Sequence, residues 1–227
     1  MSTACAIPCD PAPFRLSGRV YGVLLNHMSA LALIGPKAAQ PPYNGPPRAP
    51  VLYVKPRNTL AVSGSPVEIP KGVPELEFGA CLGLVIGRPA CNVPAERALE
   101  HVAGYTIVND VSIPHDVFYR PSIRFKARDG FCPLGPAVAA RERIPDPDAL
   151  RIRSFVDGAL VQTSTTAELV RSTSRLLADV TEFMTLAPGD VLAVGAAWPC
   201  PHVRAGQSVD IVIDGLGTLS NRFVAAP

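Results

Sequence analysis

The sequence predicts a mainly β (α+β) protein, a roll or sandwich of mixed sheets with two or three short helices. Its 25 prolines and 18 glycines are typical of many short elements joined by tight turns. Short apolar runs recur along the chain, and they suit strands better than helices. With 227 residues and no linker-like break in composition, we expect residues 18–227 to form one domain behind an N-terminal extension, residues 1–17.

Apolar runs that end at polar or glycine residues predict the strands. The clearest are residues 18–26, 51–55, 81–86, 191–194 and 208–213. Asp157-Gly158 lies between two strand-like runs, which is a strong signal for a two-residue hairpin turn. Asp214-Gly215 predicts a turn into a last short strand.

Two segments predict helices. The first is short, from about Pro94 to Val102, because proline is tolerated in the first turn. The second is expected to be capped by Thr166 and to place apolar residues from Leu169 to Met184 on one face, before Pro188 stops it.

Composition excludes several classes of partner and place. The net charge is +2 and no basic run is interleaved with aromatic residues, which argues against nucleic acid. No apolar stretch reaches the roughly 18 to 20 residues of a membrane span. The first residues, MSTACAIPCDPAP, lack a signal-peptide core, and the six cysteines lack metal-site spacing. We therefore expect a cytoplasmic protein with free thiols and no membrane partner.

The stretch from Gly104 to Pro136 concentrates the polar residues where an apolar run ends. Polar groups at the junction of a strand and a rigid loop commonly form sites, although a solvated loop with a few ion pairs explains the pattern equally well. Phosphate loops, dinucleotide glycine fingerprints and common hydrolase motifs are absent from the sequence.

Several linked motifs resemble the fumarylacetoacetate hydrolase superfamily, over about residues 18 to 224. The motifs are a strand ending in Asn26, Lys55-Pro56, an apolar strand closing at Gly87, GYTIVND (104–110), FYRP (118–121), FKARDGFCPLGP (125–136), FMTLAPGD (183–190) and GLGTLSN (215–221). The resemblance implies a fumarylacetoacetate-hydrolase-like β-roll. It also implies chemistry on small dicarboxylates held on Mg²⁺ or Mn²⁺.

Within the superfamily the chain resembles the N-terminal copy of two-copy members, the isomerase/decarboxylases of 4-hydroxyphenylacetate (homoprotocatechuate) catabolism. This implies a subunit acting on 2-oxo or 2-hydroxy-diene dicarboxylates, of the 5-carboxymethyl-2-oxo-hex-3-ene-1,7-dioate type. It also implies a homologous C-terminal-type subunit as partner, in a homo- or hetero-oligomer. The alternative is a silent partner subunit without a metal site, which completes an oligomer with an active copy.

The metal-ligand positions of the family are only partly kept. Where the family has two glutamates, this chain has Gly79 and Cys81, and only the third position, Asp110, is a carboxylate. Glu75 and Glu77 stand four residues too early, about 13 Å away along an extended strand. They could reach a metal only if the strand were looped out, so they are expected on a solvated face. We therefore expect Mg²⁺ or Mn²⁺ to bind weakly or not at all.

The acid/base positions are also changed. Many members carry a histidine and a glutamate four and seven residues after the first-strand asparagine, and Asn26 places Ala30 and Leu33 there. A site without metal, relying on lysine and arginine cations, therefore stays open as a third possibility.

The remaining polar residues supply the candidate site. We expect catalytic roles for Lys126, Asp129 and Arg57, and substrate binding by Tyr119, Arg120 and Asn26. Lys126 is expected on a strand, where it either binds substrate or forms an ion pair with Asp129.

Overall fold

The computed structural model describes residues 16–115 and 122–227, which form two β-sheets and three α-helices. The mainly β architecture with short helices predicted from the sequence is confirmed. The strands are β1 (Val20–Leu24), β2 (Val51–Lys55), β3 (Leu60–Val62), β4 (Val67–Ile69), β5 (Leu76–Ile86), β6 (Val102–Ser112), β7 (Cys132–Ala140), β8 (Arg151–Val156), β9 (Ala159–Thr165), β10 (Val191–Ala193), β11 (His202–Val203), β12 (Ser208–Ile213) and β13 (Gly217–Ala225). The helices are α1 (Met28–Ile34), α2 (Ile123–Lys126) and α3 (Thr173–Thr181).

The larger sheet is strongly curled. Its order is β2-β1-β10-β5-β6-β7-β3, with β11 added beside β5. Laid flat, β2 and β3 would be separated by six strand spacings, about 29 Å. The chain passes from Lys55 at the end of β2 to Leu60 at the start of β3, and five residues span at most about 18 Å. The sheet must therefore roll until its two edges approach each other.

The smaller sheet has five strands in the order β4-β13-β12-β8-β9. Its β8–β9 hairpin turns at Asp157-Gly158, as the sequence predicts, and both turn residues have positive φ values, 49° and 80°. Such angles suit the twist of a two-residue hairpin and favour glycine at the second position. The predicted last strand is β13, which is longer than expected at nine residues.

The main core lies on one face of the rolled sheet and includes residues of the smaller sheet and of α3. The central strand β5 is buried along its whole length, so both of its faces are covered. Phe78 and Leu82 point into this core with Ile211 and Leu176, whereas Cys81 belongs to a second buried cluster on the opposite face. The odd-numbered residues of β5 therefore face away from the main core.

The second predicted helix begins later than expected. Thr166 starts only a 3₁₀ turn (Thr166–Glu168), and α3 begins at Thr173 with Ser172 as its N-cap. Residues 169–171 are kept out of the helix because Leu169 bridges His27 and the N–H of Val170 donates to the carbonyl of Asn26. Tertiary pairing has overridden local helical preference here.

Two further elements differ from expectation. The helix predicted after Pro94 is a 3₁₀ helix, Ala95–His101. Lys126 ends the short helix α2 rather than lying on the strand that the sequence predicts. The short helix forms because the N–H groups of Phe125 and Lys126 donate to the carbonyl of Ser122. Within the described ranges, no helix has the length and apolar character needed to cross a membrane.

Candidate active site

A cavity of about 220 Å³ lies on the face of β5 opposite the main core. Its polar lining includes Tyr53, Glu77, Asp110, His115, Lys126 and Cys200, with Lys37 and Tyr43 farther along the wall. Its apolar lining includes Val23, Leu24, Leu25, Ala30, Leu33 and Ile34, so β1 and α1 form much of that part of the wall. A mostly apolar cavity with a few convergent polar groups is the usual form of a small-molecule site.

Asp110 is the centre of the polar lining. Lys126 Nζ donates to its Oδ2 at 2.6 Å, and the Tyr53 hydroxyl donates to the same oxygen at 2.5 Å. Lys55 Nζ lies 2.9 Å from Oδ1. One carboxylate is thus held between two lysine ammonium groups and a phenol.

Lys55 is fully buried and holds the carbonyl groups around the site in place. Its Nζ donates to the carbonyl oxygens of Val111 at 2.6 Å, Lys126 at 2.9 Å and Phe131 at 2.8 Å. These three bonds use all three protons of an ammonium group, whereas a neutral amine has only two. Lys55 is therefore charged. Its contact with Asp110 Oδ1 is an ionic one, because no proton of Lys55 remains for that oxygen.

The local sequence explains why Tyr53 and Lys55 reach the same carboxylate. Residues two apart on a strand share a face, so both side chains of β2 project to the same side. Gly22 of β1 is paired with Tyr53, and a Cβ at Gly22 would come within 2.0 Å of Tyr53 Cζ. Only glycine leaves room for the tyrosine ring to lie across β1.

Charge and burial shift the pKa values of this cluster. Burial would raise the pKa of Asp110, but the Lys126 and Lys55 charges outweigh it and hold that pKa well below its usual range. Burial would lower the pKa of Lys126, but Asp110 reverses this effect and holds it raised. Burial, with Asp110, raises the pKa of Tyr53. The ammonium–carboxylate–phenol arrangement is therefore the stable ionic form.

Glu77 is a second carboxyl group in the cavity, and it is 5% exposed. Burial raises its pKa to about 7, although Lys126 acts to lower it. Glu77 Oε1 lies 3.8 Å from His115 Nδ1. The same Nδ1 lies 2.9 Å from the carbonyl oxygen of Ile113. Because a carbonyl oxygen can only accept a hydrogen bond, His115 Nδ1 carries a proton and donates it to that oxygen. Glu77 can therefore exchange a proton at neutral pH in a site that also holds a cation.

The cavity also contains the Cys200 thiol. Burial, reinforced by Glu77, raises the pKa of Cys200, and burial likewise raises the pKa of Cys81 beside Asp110. Both side chains are therefore protonated thiols at neutral pH. Because the thiolate is the reactive form of cysteine, neither is an activated nucleophile.

Some residues singled out from the sequence lie elsewhere. Lys126 lines the cavity, but it pairs with Asp110 rather than Asp129. Asp129 is exposed and accepts from Asn58 Nδ2, and Arg57 is exposed and donates to the carbonyl of Ser17. Neither lines the cavity, so the structure does not bring them to the site. Tyr119 and Arg120 fall outside the described residues.

Asn26 has a structural position in the fold. It is 1% exposed, its Nδ2 donates to the carbonyl of Val194 at 2.8 Å, and its Oδ1 accepts from the N–H of Arg171 at 3.0 Å. These bonds join β1 to the segment that precedes α3. The amide of Asn26 therefore joins backbone segments, and its predicted contact with substrate stays a prediction.

The two early glutamates have different surroundings. Glu75 pairs with His202 at 2.6 Å and Arg204 at 3.0 Å, away from the cavity, as expected for a solvated face. Glu77 is buried in the cavity, so the same expectation is wrong for it. The strand β5 begins at Leu76, five residues before the predicted start, and its pleat turns Glu77 to the side of Asp110.

Tyr53, Lys55 and His115 were not predicted as site residues from the sequence, and Glu77 was named only as a conditional metal ligand. A signal existed for two of them, because Tyr53 and Lys55 alternate on a strand that ends at a proline. A signal existed also for Glu77, which is flanked by Leu76 and Phe78 in an apolar run. That alternation indicates that the strand begins before Cys81.

Comparison with known proteins identifies the family. A family model described as fumarylacetoacetate (FAA) hydrolase C-terminal matches residues 19–224. The chain belongs to this family. The resemblance inferred from the sequence motifs is thereby confirmed.

Some curated relatives are named for isomerase/decarboxylase or tautomerase activities, and others are named putative hydrolases. The chain is 40% identical to the 4-hydroxyphenylacetate degradation bifunctional isomerase/decarboxylase of Salmonella dublin, over 92% of this chain and 48% of that protein. It is 36% identical to the mitochondrial oxaloacetate tautomerase fahd2 of Xenopus laevis, over 78% of this chain and 59% of that protein. The chain thus spans about half the length of the curated relatives it matches.

Its place within the two-copy relative needs a correction. The motifs indicate the N-terminal copy, whereas the match falls on the C-terminal half of the bifunctional proteins.

Solved structures of the family share the fold. The 5-carboxymethyl-2-hydroxymuconate delta-isomerase of Mycobacterium smegmatis has a TM-score of 0.80 and 33% identity, over 93% of this chain and 80% of that one. The fumarylpyruvate hydrolase of Pseudomonas aeruginosa, in complex with Mn²⁺ and pyruvate, has a TM-score of 0.82 and 26% identity, over 100% of this chain and 98% of that one.

The Mg²⁺ or Mn²⁺ implied by the family does not fit the donor set of this cavity. These cations prefer several oxygen ligands, mainly carboxylates. Both oxygens of Asp110 already face lysine ammonium groups, and positions 79 and 81 carry glycine and a protonated thiol. Within residues 16–115 and 122–227, no three histidine, cysteine, aspartate or glutamate side chains are arranged to hold a metal.

We expect Mn²⁺ to bind no more tightly than about millimolar, because a divalent ion at Asp110 would have to displace Lys126 and approach Lys55. Titration calorimetry and the electron paramagnetic resonance signal of free Mn²⁺ measure this directly. The Asp110→Asn variant is the control for adventitious sites. Micromolar binding in the wild type that disappears in Asp110→Asn would contradict the expectation.

Proposed function

We propose that the chain is an isomerase domain that moves a proton on 2-oxo or 2-hydroxy-diene dicarboxylates, within an isomerase/decarboxylase of 4-hydroxyphenylacetate catabolism. The observation that carries the proposal is the presence of Glu77, a buried acid whose pKa is about 7, in one cavity with the Lys126 ammonium. A proton carrier and a fixed cation are the two groups that enolisation of a 2-oxo acid requires.

The proposed reaction uses these groups in order. The Glu77 carboxylate takes a proton from the carbon beside the 2-oxo group, and the electrons of that C–H bond form the C2–C3 double bond. The negative charge then moves to the 2-oxo oxygen, where a hydrogen bond from Lys126 stabilises it. Glu77 returns its proton to another carbon of the conjugated chain, so the substrate is isomerised without net change of protons.

Lys126 is suited to this role by its hydrogen bonding. Among the described residues its Nζ donates only to Asp110, so donor capacity remains for a ligand. Asp110 and the Tyr53 ring, 4.8 Å from Nζ, hold the ammonium in position before substrate arrives. Preorganised charge of this kind stabilises an enolate without reorganisation during the reaction.

The relatives support the class of reaction. One is named a delta-isomerase and another a tautomerase, and both names denote proton transfer between carbon positions or between carbon and oxygen. Because the chain spans about half of the bifunctional relatives, we further propose that it assembles as at least a dimer, with a second copy or with a homologous subunit. Decarboxylation is assigned to that assembly.

Deuterium exchange provides the test. The isolated chain, incubated with 2-oxohexanedioate in D₂O, is expected to accelerate loss of the C3 proton signals measured by NMR. The same assay is repeated with a homologous partner subunit. If the partner alone catalysed the exchange and adding this chain did not change the rate, the proposal would be contradicted. That result would favour the alternative of a silent subunit. The pairing of Asp110 with two lysines is also consistent with that alternative.

The rate should depend on pH through Glu77. Because the base form removes the proton, kcat/KM for exchange is expected to fall as pH decreases through about 7. An ordinary glutamate, with a pKa near 4.5, would leave the rate flat over this range. A rate that does not change between about pH 5.5 and 8.5 would contradict Glu77 as the base.

A further inference from the structure

One wall of the cavity ends in a lysine that the proposed proton transfer does not use. Ala30, Leu33 and Ile34 of α1 line the cavity, and Lys37 lines it from the following 3₁₀ helix, Gly35–Ala39. Gly35 joins the two helices with a positive φ of 34°, so Lys37 does not continue the helical face of α1. The cavity wall is therefore apolar along α1 and cationic at the turn that follows it.

Lys37 has no ion-pair partner among the described residues, whereas both other lysines at the site are paired with Asp110. It is also exposed, so its ammonium can reach both solvent and the cavity. A simpler explanation for the position of Lys37 is that its aliphatic stem covers the apolar wall while its ammonium group extends into water. The charges at the polar end of the cavity decide between this and a binding role.

The residues that the structure describes at the polar end supply too little positive charge to hold two carboxylates. Lys55 and Lys126 contribute two positive charges and Asp110 one negative charge, which leaves one positive charge. Ionised Glu77 cancels that remaining charge when it acts as a base. A dicarboxylate that places its 2-oxo acid end beside Lys126 must therefore find another cation for its distal end. Among the described residues that line the cavity, Lys37 is the remaining lysine or arginine.

We propose that Lys37 binds the distal carboxylate of the substrate and is the residue that makes the site select a dicarboxylate over a monocarboxylate. The apolar wall of Ala30, Leu33 and Ile34 then packs against the carbon chain between the two acid groups. This inference rests on the proposed function for its substrate class. It assigns to α1 and the following turn the recognition of substrate length and charge.

The experiment compares two ligands that differ only in the distal carboxylate, 2-oxohexanedioate and 2-oxohexanoate. Calorimetry measures the Kd of each for the wild type, Lys37→Met and Lys37→Glu. Methionine keeps a long apolar stem and removes the charge. Lys71→Met is the matched control, because Lys71 is also an exposed lysine but does not line the cavity.

We expect Lys37→Met to raise the Kd of the diacid about five- to tenfold and that of the monoacid less than twofold, because an exposed charge pair contributes modestly. Lys37→Glu should weaken the diacid further, and Lys71→Met should change neither ligand. In exchange kinetics Lys37→Met should raise KM for the diacid with little change in kcat.

The inference would be overturned if Lys37→Met raised the Kd of both ligands equally or left the Kd of the diacid unchanged. It would also be overturned if the wild type bound the diacid no more tightly than the monoacid. Binding is measured without turnover, so the two proposals can fail separately. A charge preference that depends on Lys37, without exchange activity, would refute the proton-transfer function alone. Exchange activity without this preference would refute only the role of Lys37.

Discussion

Glu77→Gln is expected to lower the rate of C3 proton exchange by about 10²- to 10⁴-fold, the usual contribution of a positioned acid/base group. Glutamine keeps the size and the hydrogen-bonding shape of the side chain but cannot carry the proton. Lys126 and Asp110 remain in place, so the Kd of 2-oxohexanedioate should change little. NMR exchange and calorimetry on the same preparation measure both effects.

The same substitution should stabilise the protein at high pH. The folded-state pKa of Glu77, about 7, lies above its ordinary value of 4.5, so the native state holds a proton that the unfolded state releases. Ionised Glu77 therefore reduces stability as pH rises from about 4.5 to 7, by about 3 kcal/mol in all. Glutamine removes this loss, so Glu77→Gln should raise the free energy of unfolding at pH 8 and not at pH 4.5.

Glu75→Gln is the matched control, since that glutamate pairs with His202 and Arg204 outside the cavity. It should leave the exchange rate within about twofold of the wild type and should not stabilise the protein at pH 8. If Glu77→Gln retained the wild-type exchange rate, Glu77 would not be the proton carrier, whatever its effect on stability.

Lys55→Met is expected to lower the free energy of unfolding by about 3 to 5 kcal/mol, as when one partner of a buried ion pair is removed. The variant leaves Asp110 with one ammonium fewer. It also removes the donor shared by the carbonyls of Val111, Lys126 and Phe131. Urea unfolding followed by far-ultraviolet circular dichroism gives the change, provided the slope with denaturant is unaltered.

Lys126→Met separates the two contributions of Lys55. Lys126 also pairs with Asp110, but its Nζ donates to no carbonyl among the described residues. Lys126→Met should therefore lower the free energy of unfolding by less than Lys55→Met does, by at least about 1 kcal/mol. Equal losses would show that the carbonyl bonds contribute nothing beyond the ion pair. The Lys126 variant should in addition lose binding of 2-oxo acids, which Asp110 and Lys55 alone cannot hold.

Local patterns determined much of the architecture. The hairpin at Asp157-Gly158 follows from backbone angles that few other residue pairs adopt, and the strand 51–55 begins and ends where its apolar run does. The family was evident from linked motifs, because each places a required residue type at a set spacing. The absence of carboxylates at Gly79 and Cys81 was likewise visible without coordinates.

Tertiary structure decided which of the polar residues meet. Lys55, Asp110 and Lys126 lie on three elements separated by up to 71 residues, and only the roll of the larger sheet brings them together. Glu77 was misjudged because the start of β5 depends on pairing with β6 and β11, which is not a local property. The positions of Asn26 and of the segment before α3 also depend on a tertiary contact, because Asn26 Oδ1 accepts from the N–H of Arg171. Spacing along a chain sets the face on which a side chain lies, whereas burial and charge depend on what the fold packs against it.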